Sequence, residues 1–139
     1  MNSALVRNRL PNHVGEFGSM MEQFLSAHAG SGIQAYYVPA SISEDSNAYQ
    51  IELDVPGVMR DDVELTFEKG MLRITTERRA PDESRKGLVD ERRYGRVTRT
   101  VTLPETIDPD SITAELNNGV LHVSVSKKPE AQPKRIEVR

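Results

Sequence analysis

The stretch that most constrains the fold is Ile112-Thr-Ala114-Glu-Leu116-Asn-Asn-Gly119-Val-Leu121-His-Val123-Ser-Val125. Ile112, Ala114 and Leu116 alternate with polar residues before Asn117-Asn118-Gly119, and Leu121, Val123 and Val125 alternate after it. Successive side chains of a strand point to opposite faces, so a period of two is the mark of a half-buried strand. Asn-Gly accepts positive φ and lets the chain reverse tightly. The run therefore predicts a β-hairpin with one buried face on each strand.

The same alternation recurs upstream. Tyr49-Gln-Ile51-Glu-Leu53-Asp-Val55 puts Tyr49, Ile51, Leu53 and Val55 on one side, and Pro56-Gly57 ends the run. Val63-Glu-Leu65-Thr-Phe67 alternates again, Glu68-Lys69-Gly70 turns the chain, and Leu72-Arg-Ile74-Thr-Thr76 returns. Val97 to Leu103 is a further strand, and Val38 to Ser43 a weaker one. Strands with one apolar and one wet face are satisfied when two sheets pack face to face, which predicts an all-β antiparallel β-sandwich. Aromatic residues are only 5% of the chain and there is no Trp, so this core is thin and association with other copies is expected.

Three zones follow: an N-terminal arm over 1–36, the sandwich over 37–126 and a C-terminal tail over 127–139. Their net charges are 0, −6 and +3, from two basic and two acidic, 11 and 17, and 5 and 2 residues. An acidic body does not favour nucleic acid. A basic tail beside it either docks onto another copy or is a solvated, solubilising end. In the arm, Val14, Phe17, Met21, Phe24, Leu25 and His28 fall near helical spacing, although Gly15 and Gly18 weaken a helix by about 1 kcal/mol each. Phe17, Met20, Met21, Phe24 and Leu25 suit either an adaptable sticky surface or a helix buried at an oligomer contact.

Arg99 is a puzzle, because it shares the face of Val97, Val101 and Leu103. An inward charge must be paired or lie at an edge; the alternative is a packed stem with its head reaching water. Nine of the fifteen residues from Asp82 to Arg96 are charged, too many for this segment to join its own core. Leu88, Val89 and Tyr94 are islands in that charge. In the tail, two prolines and many charges predict an extended chain from Lys127 to Arg135, with a reach of about 25–30 Å over eight residues. Ile136 and Val138 lie two apart, so an extended chain points both the same way, as a two-knob plug for a sheet edge.

Four segments together resemble the small heat-shock proteins, the α-crystallin-domain chaperones of bacterial type. Ala114-Glu-Leu-Asn-Asn-Gly119-Val-Leu121 resembles their A-x-x-x-x-G-x-L signature. Leu53-Asp-Val-Pro-Gly57-Val58 resembles their D-x-P-G segment. Glu91-Arg-Arg-Tyr-Gly95-Arg-Val97-Thr-Arg99 followed by Leu103-Pro104 is similar to E-R-x-x-G-x-F-x-R…L-P, with Val97 where Phe is usual. Ile136-Glu-Val138 resembles the C-terminal I-x-I/V motif. The likeness covers roughly 38–139.

The resemblance implies an immunoglobulin-like sandwich with a variable, partly helical arm and an extended tail. It implies ATP-independent holding of unfolding proteins by dimers assembled into larger oligomers. Dimer contacts would be Leu88, Val89, Tyr94 and Arg99, with a strand at about Gly87–Tyr94 exchanged between subunits; the other reading of that loop is a mobile connection. Ile136 and Val138 would seat in a groove formed by Val63, Leu65, Phe67, Ile112, Ala114 and Leu116. Clients would meet Phe17, Met20, Met21, Phe24 and Leu25. Partners would be unfolded or partly folded clients, further copies of the chain and ATP-dependent chaperones.

No catalytic or metal motif appears. H-E-x-x-H, P-loop, G-x-S-x-G and EF-hand patterns are all missing, and His13, His28 and His122 are isolated. No enzyme activity, cofactor or metal is expected. No cysteine is present, which fits a reducing cytoplasm, and no secretory leader or membrane-spanning run is read. The rival readings are a β-sandwich co-chaperone or docking module that holds no clients, and a hydrolase with an unrecognised site.

Overall fold

The computed structural model describes residues 38–131 and 133–139; the expectations for the arm, Phe17 to Leu25 included, lie outside them. Among the described residues seven strands form: β1 (Ala40–Glu44), β2 (Ala48–Asp54), β3 (Val63–Glu68), β4 (Met71–Arg78), β5 (Gly95–Thr102), β6 (Thr113–Asn117) and β7 (Val120–Ser126). They make a four-stranded sheet in the order β1-β2-β7-β6 and a three-stranded sheet in the order β3-β4-β5. Every neighbouring pair is antiparallel.

The alternation decides which faces meet. Ile51, Leu53, Leu72, Ile74, Leu121, Val123 and Val125 are almost completely buried, and their polar neighbours point outward. Tyr49 and Val55 are buried as the pattern predicts. The weak first strand starts two residues later than expected, at Ala40, while Val38 packs into the core ahead of it.

The tight turns set the register. Lys69-Gly70 and Asn118-Gly119 both have positive φ at both positions, 50° and 77° in the first and 51° and 76° in the second. These are the backbone signs of the type I′ turn, whose twist matches that of its strands. Gly119 is fixed for a second reason: a Cβ there would lie 3.2 Å from the Cα of Pro56. The Val55 N–H donates to the Gly119 carbonyl at 2.7 Å, tying the β6–β7 turn to the end of β2.

The tail departs from the expectation of a chain extended from Lys127. Lys127 forms an isolated bridge with Ile107, its N–H donates to the Asn47 carbonyl, and the Lys128 N–H donates to that of Thr106. The Lys127 Nζ donates to Glu44 Oε1 at 2.6 Å and to the Asp45 carbonyl at 2.9 Å. Pro129–Ala131 then makes one 3-10 turn. Charge here serves to anchor the chain to the β1–β2 turn, and only the residues beyond it are exposed without regular structure.

Asp45 holds the β1–β2 turn together. Its Oδ1 accepts from the N–H groups of Asn47 (2.7 Å) and Ala48 (2.8 Å). These donors favour the ionised form and lower its carboxyl below the ordinary 3.8. A lowered native pKa gives stability that is present above the unfolded value and lost as pH falls through the native one. Asp45→Ala is therefore expected to melt earlier than the parent at pH 7. The two melting curves should approach each other as pH falls through the lowered native pKa of Asp45, where the parent's carboxyl becomes protonated in the folded as well as the unfolded state.

Candidate functional site: the groove between two sheet edges

β3 ends one sheet and β6 ends the other, and their apolar sides face a shared gap. Val63, Leu65 and Phe67 are half-buried, as are Ile112 and Leu116, and Ala114 is exposed. A fully buried face was the simplest reading of the β6 alternation. The difference arises because β6 is an edge, flanked by β7 alone.

Two adjoining cavities run along this gap. The larger, about 390 Å³, is lined by Arg60, Val63, Leu65, Ala114, Glu115, Leu116 and Leu121. The smaller, about 270 Å³, is lined by Leu65, Thr66, Phe67, Leu72, Pro109, Ile112, Thr113 and Ala114. Leu65 and Ala114 belong to both and form the ridge between them. All six residues that the resemblance assigns to a groove line one cavity or both. Sequence reasoning missed Arg60 and Pro109, which lie in short 3-10 turns beside β3 and β6 and carry no strand periodicity.

Charge surrounds the Val63 end. The Asp62 side chain, 6% exposed, holds Arg79, with Nε at 3.1 Å from Oδ1, and this contact raises the guanidinium above its usual range. Glu64 meets Arg96 at 3.5 Å. Both are rim contacts with a solvent-exposed cation, a class that contributes little to stability.

The other sequence-derived residues fall in distinct environments. Arg99 lies on β5 opposite Ile74, on the core side, and is 8% exposed. Thr98, on the other face, shares a 3.0 Å hydrogen bond with Thr75. Leu88 and Val89 are 85% and 83% exposed on the β4–β5 connection, which contains no strand in the protomer. Tyr94 is half-buried, its hydroxyl donates to Asp90 Oδ1 at 3.2 Å, and Arg92 stands 5.4 Å from its ring centre. Ile136 and Val138, 85% and 96% exposed, are outside the groove of their own chain.

The outer face of the four-stranded sheet is polar. His122 Nδ1 lies 3.1 Å from Glu52, which also accepts from Ser41 Oγ at 3.3 Å. Among the described residues no three His, Cys, Asp or Glu side chains are arranged to hold a metal, and no helix is long and apolar enough to cross a membrane.

The profile of the Hsp20/alpha crystallin family matches residues 41–139. The chain belongs to that family. It is 40% identical over 105 residues to the spore protein SP21 of Stigmatella aurantiaca, covering 73% of this chain and 62% of that one. It is 28% identical to small heat shock protein C2 of Rickettsia felis, covering 99% and 90%. Among solved structures, a small heat-shock protein from Xylella fastidiosa superposes with a TM-score of 0.64 at 34% identity, covering 75% and 97%. HspA of Xanthomonas axonopodis gives 0.60 at 35%, covering 68% and 98%. The seven-stranded sandwich is thus the α-crystallin domain of a small heat-shock protein, and the chain spans a little under two thirds of the SP21 relative.

Within this α-crystallin domain, Arg99 is buried on the face of β5 that also carries the buried Val101, whereas the Arg96 side chain is 64% exposed. Truncating Arg99 to Ala removes buried stem contacts and is expected to cost about 1–3 kcal/mol. Arg96→Ala should stay within about 0.5 kcal/mol of the parent. Urea midpoints of the two variants check the difference.

Proposed function

We propose that this small heat-shock protein is an ATP-independent holdase that binds unfolding proteins and limits their aggregation, built from dimers joined into larger oligomers. The observation that carries the reading is the two-cavity apolar groove between β3 and β6, together with two apolar residues of the same chain's tail exposed outside it. A groove of this kind takes an extended segment with apolar residues at alternate positions, and Ile136-Glu137-Val138 is such a segment. The tail of one copy seats in the groove of another. In support, the Xylella fastidiosa relative is described as having a distinct high order structure.

Dimers form through Arg99 and the β4–β5 connection, whose exposed Leu88 and Val89 gain cover against a second copy. About Gly87–Tyr94 becomes an added strand there, with Tyr94 beside it. Clients meet the arm over 1–36 at Phe17, Met20, Met21, Phe24 and Leu25, with the 37–126 domain and 127–139 tail controlling how much of that surface is offered. Heating shifts the population towards smaller species with more of it uncovered. The chain acts in the cytoplasm without cofactor or catalysis, hands clients to ATP-dependent chaperones, and makes no use of nucleic acid.

Light scattering from a heat-aggregating protein tests the holding activity. Suppression at near-stoichiometric ratios without ATP is expected. Absence of suppression at every temperature would overturn it in favour of a docking module. For assembly, Ile136→Ala with Val138→Ala is expected to reduce the solution mass to that of a dimer, and large oligomers retained by the variant would contradict the plug.

A further inference from the structure

The β6–β7 turn is Asn117-Asn118-Gly119, and Asn118 is the one asparagine of six that precedes a glycine. Asparagine is a thermolabile residue. Its loss begins when the next residue's backbone nitrogen attacks the side-chain amide carbon, and a glycine there has no Cβ to hinder the approach. We propose that Asn118 is a site of spontaneous deamidation, made reactive by heat, whose isoaspartyl product unfastens β6 from the sandwich.

The step balances without an enzyme or cofactor. The Gly119 nitrogen bonds to Cγ of Asn118, the carbon–nitrogen bond of the side-chain amide breaks, and ammonia leaves with the proton from the Gly119 nitrogen. Water then opens the cyclic imide at either carbonyl. Attack at the side-chain carbonyl gives aspartate. Attack at the main-chain carbonyl leaves the backbone running through Cγ, as isoaspartate.

The folded turn exposes this site and also restrains it. Asn118 is exposed, and the Gly119 N–H donates to no backbone carbonyl among the described residues. Ring closure, however, requires rotation about the Cα–C bond of Asn118, out of the type I′ geometry marked by φ of 51° and 76°. The reaction therefore waits on opening of the turn. β6 is an edge strand held by β7 alone, with four of its five residues exposed, so it belongs to the part of the sandwich that opens most readily. Asn47 is exposed too, but Ala48 follows it with a Cβ, and the Ala48 N–H is engaged by Asp45 Oδ1 at 2.8 Å.

The two products differ in consequence. Aspartate keeps the backbone and tolerates positive φ, so the turn re-forms. Isoaspartate adds a backbone carbon to a two-residue turn whose length sets the strand register. Asn117 pairs with Val120 across this turn, and the Gly119 carbonyl accepts from the Val55 N–H at 2.7 Å. A Cβ on Gly119 would already lie 3.2 Å from the Cα of Pro56, so the longer turn has little room on that side. β6 then loses its register, and the groove loses the wall that carries Ala114 and Leu116.

The test holds the full-length protein just below its melting temperature, follows the peptide around each asparagine by mass spectrometry, and labels isoaspartate with an isoaspartyl methyltransferase. Asn118 is expected to deamidate severalfold faster than Asn47, mainly to isoaspartate, at a rate that rises with β6 amide exchange as temperature increases. Aged chains should lose exchange protection across β6 while β2 keeps its own. Asn118→Gly accepts positive φ but carries no amide, and should keep β6 protected through the same incubation. Freshly prepared Asn118→Asp should begin with the parent's protection, because charge alone does not lengthen the turn. Deamidation of Asn118 no faster than of Asn47, protection of β6 retained by the isoaspartyl chain, equal loss in aged Asn118→Gly, or immediate loss in Asn118→Asp overturns the proposal.

Discussion

Burial of the aliphatic inner faces of β2, β7 and β4 is the interaction on which the rest of this molecule depends. Ile51, Leu53, Leu72, Ile74, Leu121, Val123 and Val125 are each at most 2% exposed. Side chains of this type contribute about 1.5–3 kcal/mol apiece on leaving water. That contact fixes the two sheets, and through short I′ turns it fixes where β3 and β6 begin and end. Because the core is concentrated in these inner strands, the edge strands receive only part of their cover from the protomer. The half-buried faces of β3 and β6 are a consequence of how four strands and three strands stack, not a defect of either strand.

An edge that presents apolar side chains is a liability in an ordinary monomer, since it offers pairing to any other chain. Apolar residues left without full cover lie in the groove, at Leu88-Val89 on the long connection, at Ile136 and Val138 in the tail, and at Met59 and Met71; the proposed assembly uses the first three. The anchored segment from Lys127 to Ala131 holds the tail's starting point, and rim charges surround the groove. Weak, separable contacts of this kind suit the proposed assembly, in which members part and rejoin as temperature changes.

How much was legible in the sequence depends on how local the signal is. β2 and β7 could be read residue by residue, because their alternation is uninterrupted and their turns contain Asn-Gly or Pro-Gly. The six residues that the resemblance places in a groove line the two cavities, but their degree of cover was not legible, since alternation marks an apolar face without saying what lies over it. Ala114 is the clearest example. The root of the tail was misjudged for a different reason. Lys127 bonds to Glu44, 83 residues away, and lies 5.1 Å from the ring of Tyr49, and no local pattern encodes such a contact. Lys-Lys-Pro in isolation reads as solvated chain. The β4–β5 connection stays irregular in the protomer because its charges deny it a core, and any strand it forms must be completed by another molecule.

The central claim is that the edges at β3 and β6 are covered by sister chains. Amide hydrogen exchange, followed as a function of protein concentration, measures that cover directly. The account predicts that β3 and β6 exchange slowly at high concentration and much faster on dilution, while β2 and β7 stay protected throughout. Exchange at β3 and β6 that is identical at every concentration would contradict it.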